Sequence, residues 1–134
     1  MIILDSSFII SFEITADQNH EKAVRIMEEI DRGKFGEAVI SDYLFDEIIT
    51  VSFGKTRNLK DSVFIGNKIM SSFRIFEITE EIFEEAWKLF CSQKDTKFSF
   101  TDCSILAVME KFKIRNIATF DKDFSKIKWV NVIC

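Results

Sequence analysis

Four acidic residues stand where the sequence predicts the ends of strands or the starts of helices. Asp5 and Asp121 each directly follow a short predicted strand, Asp102 falls in the first turn of a predicted helix, and Glu47 lies about two turns into another. Carboxylates a few Å apart repel one another, and their pKa values rise unless a cation neutralises them. Oxygen ligands of this kind suit Mg²⁺ or Mn²⁺. Such an ion polarises a phosphate and lowers the pKa of bound water, so the pattern points to phosphodiester hydrolysis.

Short apolar runs alternate with longer segments of helical periodicity along the chain. Strands are predicted at residues 2–4, 38–40, 73–78, 116–120 and 129–133. Helices are predicted over 8–12, from a cap at Asp17 to an exit near Gly33, from a cap at Ser41 or Asp42 to about Val51, over 58–70, from Thr79 to about Phe90, and over 102–112 after a cap at Ser99 or Thr101. Strands separated by helices require crossover connections, which force a parallel sheet. The sequence therefore predicts a three-layer α/β/α domain with a central five-stranded parallel sheet.

This architecture predicts that the four acids converge. Ligand sites in open α/β sheets lie outside the carboxyl ends of the strands, which is where Asp5 and Asp121 must sit. Each crossover helix runs antiparallel to the strands, so its N-terminus returns to the same edge. We therefore expect Asp102 at this edge, with Glu47 slightly below the rim.

The helix that carries Glu47 offers a second acid, Asp46. Glu47 shares a helical row with Leu44 and Val51, at the margin of the apolar face, whereas Asp46 shares a row with Asp42. The pattern favours Glu47 as the acid that leans inward.

The bulk composition fits one domain covering residues 1–134. The chain is 47% hydrophobic with a net charge of −4, so its overall charge does not indicate nucleic-acid binding. Its three cysteines, Cys91, Cys103 and Cys134, are odd in number and widely spaced, which argues against a disulfide framework or a zinc site. No segment approaches the roughly 20 apolar residues of a membrane span. We expect a cytoplasmic protein.

Four segments resemble the motifs of PIN domains, in particular the small VapC-type toxins and their archaeal relatives. Residues 2–7 (IILDSS) resemble the opening strand and first acid, and residues 41–47 (SDYLFDE) resemble the second acidic segment. Residues 98–107 (FSFTDCSILA) are similar to the central motif, and residues 117–124 (IATFDKDF) to the closing motif. The order and spacing of the four motifs together span the whole chain.

The resemblance implies an Mg²⁺- or Mn²⁺-dependent endoribonuclease and, in many relatives, a partner antitoxin and a homodimer. It implies that the metal-binding and catalytic residues are Asp5, Glu47, Asp102 and Asp121. It also offers further site-lining groups at Ser6, Thr119 and Asp123. Ser7 departs from the pattern, because many relatives carry Asn there.

In the mechanism that follows, Asp5, Asp102 and Asp121 hold the ion or ions, and Glu47 completes the shell or orients water. Water attacks in line and the 3′ oxygen departs, which leaves a 5′ phosphate.

The helices near Phe64 and Met70 could form a dimer face. Predicted contacts to RNA phosphates are Lys55, Arg57, Lys60, Lys94, Lys97 and Lys122.

Other functions are compatible with parts of the sequence. The main alternatives are a PIN-like scaffold that binds RNA or protein without cleaving it, and an RNA-processing nuclease outside any toxin–antitoxin pair. A phosphatase of the haloacid dehalogenase type would need a second Asp at Ser7. The sequence does not indicate a fold that binds a nucleotide cofactor, because neither GxGxxG nor GxxxxGK[ST] occurs. The RNA target stays open at this point.

Overall fold

A central sheet of five parallel strands organises the protein, whose computed structural model describes residues 1–134. The strand order is β3-β2-β1-β4-β5, so β1 lies in the middle of the sheet. The prediction of a parallel five-stranded sheet is confirmed. The strands are β1 (Ile2–Leu4), β2 (Ala38–Ser41), β3 (Arg74–Phe76), β4 (Asn116–Ala118) and β5 (Asn131–Ile133).

Six α-helices and one short 3-10 helix connect the strands. The α-helices are α1 (Ser6–Glu13), α2 (His20–Asp31), α3 (Asp42–Thr56), α4 (Leu59–Ser72), α5 (Glu80–Cys91) and α6 (Phe100–Lys111), and the 3-10 helix is Lys122–Lys126. Helices α1 to α4 lie on connections that lead from β1 toward β3, whereas α5 and α6 lie on the connection that leads back to β4. Because crossovers are right-handed, the two groups cover opposite faces and complete the predicted three layers. None of the helices combines the length and apolar content that a membrane crossing needs.

The central strand is enclosed by the core on both faces. All three residues of β1 are completely buried, and they belong to one hydrophobic cluster of 29 buried residues. An apolar run without alternation is what a parallel strand covered on both faces requires. The residue that follows β1 is therefore held at a fixed place in the sheet.

Side-chain caps define four helix starts, and those at Ser41, Thr79 and Ser99 are among the predicted ones. The side chains of Ser41, Asn58, Thr79 and Ser99 each accept a hydrogen bond from a backbone N–H in the first turn of their helix. Each cap satisfies a donor that the helix itself leaves unpaired. These caps fix where α3 and α6, the helices carrying Glu47 and Asp102, begin.

Several predicted boundaries are wrong, and for two helix boundaries the structure shows the reason. Helix α2 begins at His20 and not after Asp17, because the Asp17 carboxylate accepts the N–H of Asn19 at 2.8 Å and makes a turn before the helix. Helix α3 continues to Thr56, well past Val51, and ends where Arg57 adopts a left-handed conformation with φ of 50°. Residues 52–56 are therefore helical.

Strand β3 is shorter than predicted for a specific reason. The backbone N–H of Ile78 donates to both carboxylate oxygens of Asp42, at 3.1 and 3.3 Å. This N–H is turned toward the start of α3, so it does not extend the ladder between β2 and β3. The contact ties the carboxyl end of β3 to the helix that carries Glu47.

Candidate active site

Asp5 and the segment after β4 lie side by side at the carboxyl edge of the sheet. Strands β1 and β4 are neighbours, with Leu4 paired to Ala118. The backbone N–H of Asp5 then donates to the carbonyl of Ala118 at 3.0 Å. Asp121 comes three residues after this pair, so sheet register alone brings two of the four predicted acids to one edge.

The Asp5 carboxylate is buried and is held by hydroxyl groups. Only 3% of the residue is exposed. Its Oδ2 accepts hydrogen bonds from the Ser7 hydroxyl at 2.6 Å and the Thr119 hydroxyl at 2.7 Å. Burial raises the pKa of Asp5 above its ordinary value, and the two hydroxyl donors offset part of that rise. The pocket therefore holds a carboxylate whose negative charge has no cationic partner.

The same two hydroxyls hold the backbone that leads to Asp121. Ser7 Oγ accepts the N–H of Phe120 at 3.0 Å, and Thr119 Oγ1 accepts the N–H of Asp121 at 3.0 Å. Thr119 is completely buried. Ser7 and Thr119 therefore join the start of α1 to the chain beyond β4.

Among the small residues after β1, Ser7 makes the shorter contact with Asp5. The hydroxyl of Ser6, which sequence reasoning offered as a lining group, lies 3.4 Å from Asp5 Oδ1. Ser7 received no role because it departs from the motif. The signal was available: a hydroxyl two residues after an acid, in the first turn of a helix, can turn back to that acid.

Asp102 belongs to the first turn of α6 and takes part in a capping box. Its Oδ2 accepts the N–H of Ser99 at 2.8 Å, while its own N–H donates to the Ser99 hydroxyl at 3.1 Å. The pKa of Asp102 is raised to about 6, first by burial and then by the negative charges of Asp5 and Asp121. The negative charges of two other predicted acids therefore act on Asp102.

Asp121 and Glu47 differ in how firmly they are held. Asp121 Oδ1 accepts the N–H of Asp123 at 2.9 Å and so caps the 3-10 helix. Glu47 is half-buried, whereas neighbouring Asp46 is exposed, which agrees with the preference for Glu47 as the inward-leaning acid. Glu47 makes no side-chain hydrogen bond or ion pair, and its role in the site stays a prediction.

Asp123, the third lining group suggested by the sequence, has a different environment. One of its oxygens accepts the N–H of Lys97 at 2.8 Å, and the other pairs with the Lys126 ammonium at 2.7 Å. These contacts, led by the hydrogen bond from Lys126, lower the pKa of Asp123. Its charge is compensated within the protein.

No basic side chain compensates the four predicted acids. The chain forms eight ion pairs, and none of them includes Asp5, Glu47, Asp102 or Asp121. The oxygen donors gathered here, carboxylates with supporting hydroxyls, are those that a hard divalent cation prefers. The structure contains no group of three or more Asp, Glu, His or Cys side chains at the spacing of a formed metal site.

Two exposed lysines line a cleft beside Asp121. Lys122 lines a cleft of about 360 Å³ together with Thr119 and Asp121, and Lys22 lines the same cleft. Sequence reasoning missed Lys22, although the crossover geometry that places Asp102 also returns the start of α2 to this edge. The six predicted phosphate contacts are all exposed and form no ion pair: Lys55, Arg57, Lys60, Lys94, Lys97 and Lys122.

Cys103 and His20 are the thiol and the imidazole that a cysteine nucleophile would need, but each has other surroundings in this structure. Cys103 is buried in α6, and its thiol pKa is raised to about 11 by burial and by the charge of Asp102. His20 Nδ1 lies 2.9 Å from the carbonyl of Ser11, to which it donates. The raised thiol pKa makes Cys103 a poor nucleophile.

A parallel α/β/α fold with acids at the carboxyl edge and no cofactor-binding glycine motif defines a class of small acidic-site nucleases. The PIN domain family matches residues 2–130. The chain therefore belongs to the PIN domain family.

Individual relatives cover almost the entire chain. The 23S rRNA-specific endonuclease VapC20 of Mycobacterium tuberculosis is 26% identical over 132 residues, which is 98% of each protein. The crystal structure of that VapC20, a toxin that cleaves the sarcin–ricin loop, superposes with a TM-score of 0.87 at 25% identity over 100% of both chains. FitAcB of Neisseria gonorrhoeae shares the fold, with a TM-score of 0.72 at 19% identity over 100% of this chain and 97% of that one.

Similar folds also occur in complexes with antitoxins. A toxin–antitoxin complex from Klebsiella pneumoniae superposes with a TM-score of 0.67 at 20% identity, covering 98% of this chain and 96% of that one. At this identity the likeness concerns the fold.

Proposed function

We propose that the protein is a divalent-metal-dependent endoribonuclease that acts as the toxin of a toxin–antitoxin pair. The observation that carries the proposal is that Asp5 and the segment leading to Asp121 lie side by side at the carboxyl edge of the sheet, and that no basic side chain pairs with Asp5, Asp102 or Asp121. Membership of the PIN domain family and the similarity to a 23S rRNA-specific endonuclease over 98% of the chain support it independently.

The donor chemistry fits Mg²⁺ or Mn²⁺. Asp5, Asp102 and Asp121 would hold the ion, and Glu47 would complete its surroundings or orient water. When bound, such an ion supplies charge neutralisation, polarisation of the phosphate and a lowered pKa for water. The pKa of Asp102 is raised because a negative charge is unfavourable at this buried position, close to other carboxylates. A bound cation would offset that penalty.

The reaction proposed for this site is in-line hydrolysis of an RNA phosphodiester. The attacking water forms a new P–O bond and gives up a proton, and the bond from phosphorus to the 3′ oxygen breaks. The 3′ oxygen takes up a proton, so the products carry a 3′ hydroxyl and a 5′ phosphate. The chain's own contribution is to hold the acids: Ser7 and Thr119 orient the Asp5 carboxylate, and Ser99 orients that of Asp102.

RNA must approach an acidic site on a protein whose net charge is −4. Lys22 and Lys122 border the cleft that contains Asp121, and neither is paired with an acid. Unpaired lysines at this place can contact phosphates on either side of the scissile bond, and each such contact releases counterions from the RNA. They guide the backbone without reading its sequence.

The first substrate to test is the sarcin–ricin loop of 23S rRNA. The VapC20 structure, which superposes with a TM-score of 0.87, is that of a toxin that cleaves this loop. A structured loop is also the kind of RNA element that proteins recognise specifically, because its unstacked bases are accessible.

An antitoxin partner and a homodimer are part of the same proposal. Their support is the apolar surface of α4, where Phe64 is 66% exposed and Met70 is 54% exposed. A groove of about 430 Å³ lies between α3 and α4 and is lined mainly by apolar side chains, including Phe53 and Leu59. Exposed apolar surface of this extent on a small protein marks an interaction site. Light scattering of the protein and a Phe64→Glu variant will report the oligomeric state.

A metal titration combined with RNA cleavage tests the proposed function. Wild-type protein should cleave a sarcin–ricin loop oligonucleotide with Mn²⁺ or Mg²⁺ and stop in excess EDTA. Metal should also raise the melting temperature, because a ligand that binds only the folded state stabilises it. The matched control is Asp46→Asn, which removes an exposed charge from α3 and should cleave like wild type.

Each result separates the proposal from its alternatives. Metal-dependent stabilisation without cleavage of any RNA would favour the non-cleaving scaffold. Undiminished cleavage in excess EDTA would contradict the metal mechanism. Cleavage of other RNAs, with none at the sarcin–ricin loop, would support the nuclease activity and contradict the proposed substrate.

A further inference from the structure

We infer that Asp123 is a positioning residue that sets Asp102 and Asp121 relative to each other, and that it does not bind the metal itself. The inference rests on the proposed metal-dependent function. It concerns a set of contacts that we call the Asp123 clip: the Asp123 carboxylate, the N–H of Lys97, the Lys126 ammonium and the carbonyl of Asp95.

The clip joins two segments that are far apart in sequence. Asp123 Oδ2 accepts the N–H of Lys97 at 2.8 Å, across 26 residues. Asp123 Oδ1 pairs with Lys126 at 2.7 Å, and the same ammonium donates to the carbonyl of Asp95 at 2.9 Å. The loop between α5 and α6 is thereby fastened to the 3-10 helix after β4.

An aromatic pair reinforces the clip from inside. Phe98 and Phe124 are buried, with 4% and no exposure respectively, and their ring centroids lie 4.8 Å apart. Each ring is adjacent in sequence to a clip residue: Phe98 follows Lys97, and Phe124 follows Asp123. The polar and apolar contacts together fix the distance between loop and 3-10 helix.

Backbone N–H groups at or close to each end of the clip donate to acids of the candidate site. The N–H of Asp123 donates to Asp121 Oδ1 at 2.9 Å. Two residues beyond Lys97, the N–H of Ser99 donates to Asp102 Oδ2 at 2.8 Å. A continuous series of hydrogen bonds and short backbone steps therefore runs from one acid to the other through Asp123.

The surroundings of Asp123 explain why it serves as a positioning group. Both carboxylate oxygens have partners within the protein, and those partners bring positive charge and an N–H donor. Asp5, in contrast, has only hydroxyl donors on Oδ2. A carboxylate already neutralised by Lys126 offers little to a cation, whereas its loss would release the loop that orients Ser99 and Asp102.

The experiment compares Asp123→Ala and Asp123→Asn with wild type, using Mn²⁺ alone as the probe. Groups that orient metal ligands cost roughly 10- to 100-fold in metal affinity when removed. We expect Asp123→Ala to weaken Mn²⁺ binding, measured by calorimetry, by roughly tenfold, the low end of that range. Asp123→Asn keeps an oxygen for the Lys97 N–H, so it should recover a large part of this loss.

Two further readouts separate positioning from metal binding. Hydrogen exchange of the metal-free protein should become faster in residues 97–102 of Asp123→Ala, while residues 2–4 keep their protection. The rate of RNA cleavage should return to the wild-type value at saturating Mn²⁺. Asp95→Asn is the matched control, because it removes one negative charge from the loop that the clip fastens, while the exposed Asp95 side chain forms no hydrogen bond or ion pair.

Three outcomes would overturn the inference. Equal losses in the Asn and Ala variants, not restored by saturating Mn²⁺, would make Asp123 a metal ligand. Unchanged exchange and affinity in Asp123→Ala would show that the clip positions nothing, and faster exchange with unchanged affinity would limit it to anchoring the loop. Failure of the proposed function is distinguishable: wild-type protein itself would neither bind Mn²⁺ nor cleave RNA, and the positioning role would fall with it.

Discussion

Two carboxylates at the same edge of the sheet have opposite electrostatic surroundings. Asp5 is buried and bonded to the hydroxyls of Ser7 and Thr119, and its pKa is raised. Asp123 is bonded to an ammonium and a backbone N–H, and its pKa is lowered. The difference shows that an acidic residue can lie close to a candidate metal site without being one of its ligands. An acid whose charge the protein leaves uncompensated is the one prepared for an external cation.

The largest expected effect comes from neutralising Asp5. Asp5→Asn should reduce metal-dependent RNA cleavage by more than about 100-fold, because removal of a metal ligand costs more than removal of a group that orients one. Without metal, its melting temperature should equal or exceed that of wild type, since a buried uncompensated charge has been removed. Asp123→Asn should show the reverse pattern, with lower stability and a smaller catalytic loss. Melting curves and initial rates check both, and equal behaviour of the two variants would break the comparison.

A smaller effect should follow from changing a hydroxyl beside Asp5. Thr119→Val keeps the shape of the side chain but leaves Asp5 Oδ2 with one donor and the N–H of Asp121 without an acceptor. A hydrogen bond to a charged group is worth about 1.5–3 kcal/mol, so we expect stability to fall by about 2 kcal/mol. Cleavage should fall roughly tenfold. Urea unfolding and initial rates measure these changes.

The conservative variant makes the test of Thr119 specific. Thr119→Ser retains the hydroxyl and should keep most of the activity. If Val and Ser variants are equally impaired, packing and not hydrogen bonding to Asp5 explains the requirement for Thr119. Ser6→Ala serves as the matched control, because the Ser6 hydroxyl is 3.4 Å from Asp5.

Removing a lysine near the acids should have a modest effect on RNA binding. Lys22→Ala and Lys122→Ala should each weaken binding of an uncleavable RNA by a few-fold and reduce the salt slope of log K by about one. Lys113→Ala is the control, since this exposed residue follows α6 at the opposite edge of the sheet. Salt titrations of RNA affinity check the prediction, and an equal loss in Lys113→Ala would remove the case for contacts near the acids.

The smallest expected effect is a pair of opposite pH dependences. Asp102 keeps its proton up to about pH 6 in the folded protein, whereas its ordinary pKa is 3.8. Between these values the folded state binds more protons than the unfolded state, so metal-free stability should fall as pH rises from 4 to 6. Asp102→Asn should flatten that decline in urea unfolding measured across this range.

Asp123 should contribute with the opposite sign. Its pKa is below 3.8 in the folded protein, so its contribution to stability is present above that value and is lost as pH falls further. The difference in unfolding midpoint between wild type and Asp123→Asn should therefore be largest near neutral pH. A difference that grows in acid would contradict the assignment of the clip.

The fold could be predicted because its signals are local. Uninterrupted apolar runs give the buried strands, and side-chain caps such as Ser41 and Thr79 give the helix starts. Asp17 misled the prediction because the same side chain that can cap a helix can also close a turn. Strand order was not predicted, since nothing local states which strands pair.

The candidate site could be predicted only in outline. Its acids follow strands or lie in the first turn of a helix, so topology predicts that Asp5, Asp102 and Asp121 converge at the carboxyl edge. The role of Ser7 depends on the Asp5 pocket, where Thr119 contacts residues 112 and 114 positions earlier in the chain. The role of Asp123 depends on Lys97, which lies 26 positions away. Contacts over such separations leave no periodic pattern in the sequence.

The central position of β1 has a consequence for how the protein is made. Ribosomes release the N-terminal end of a chain first, yet Asp5 obtains its Thr119 hydrogen bond from a residue 114 positions later. The strand that precedes Asp5 also has β4 as one of its two neighbours. Every nascent chain that stops short of β4 therefore lacks one wall of the pocket. The pocket around Asp5 can therefore be completed only after the residues that follow β4, Thr119 among them, have been synthesised.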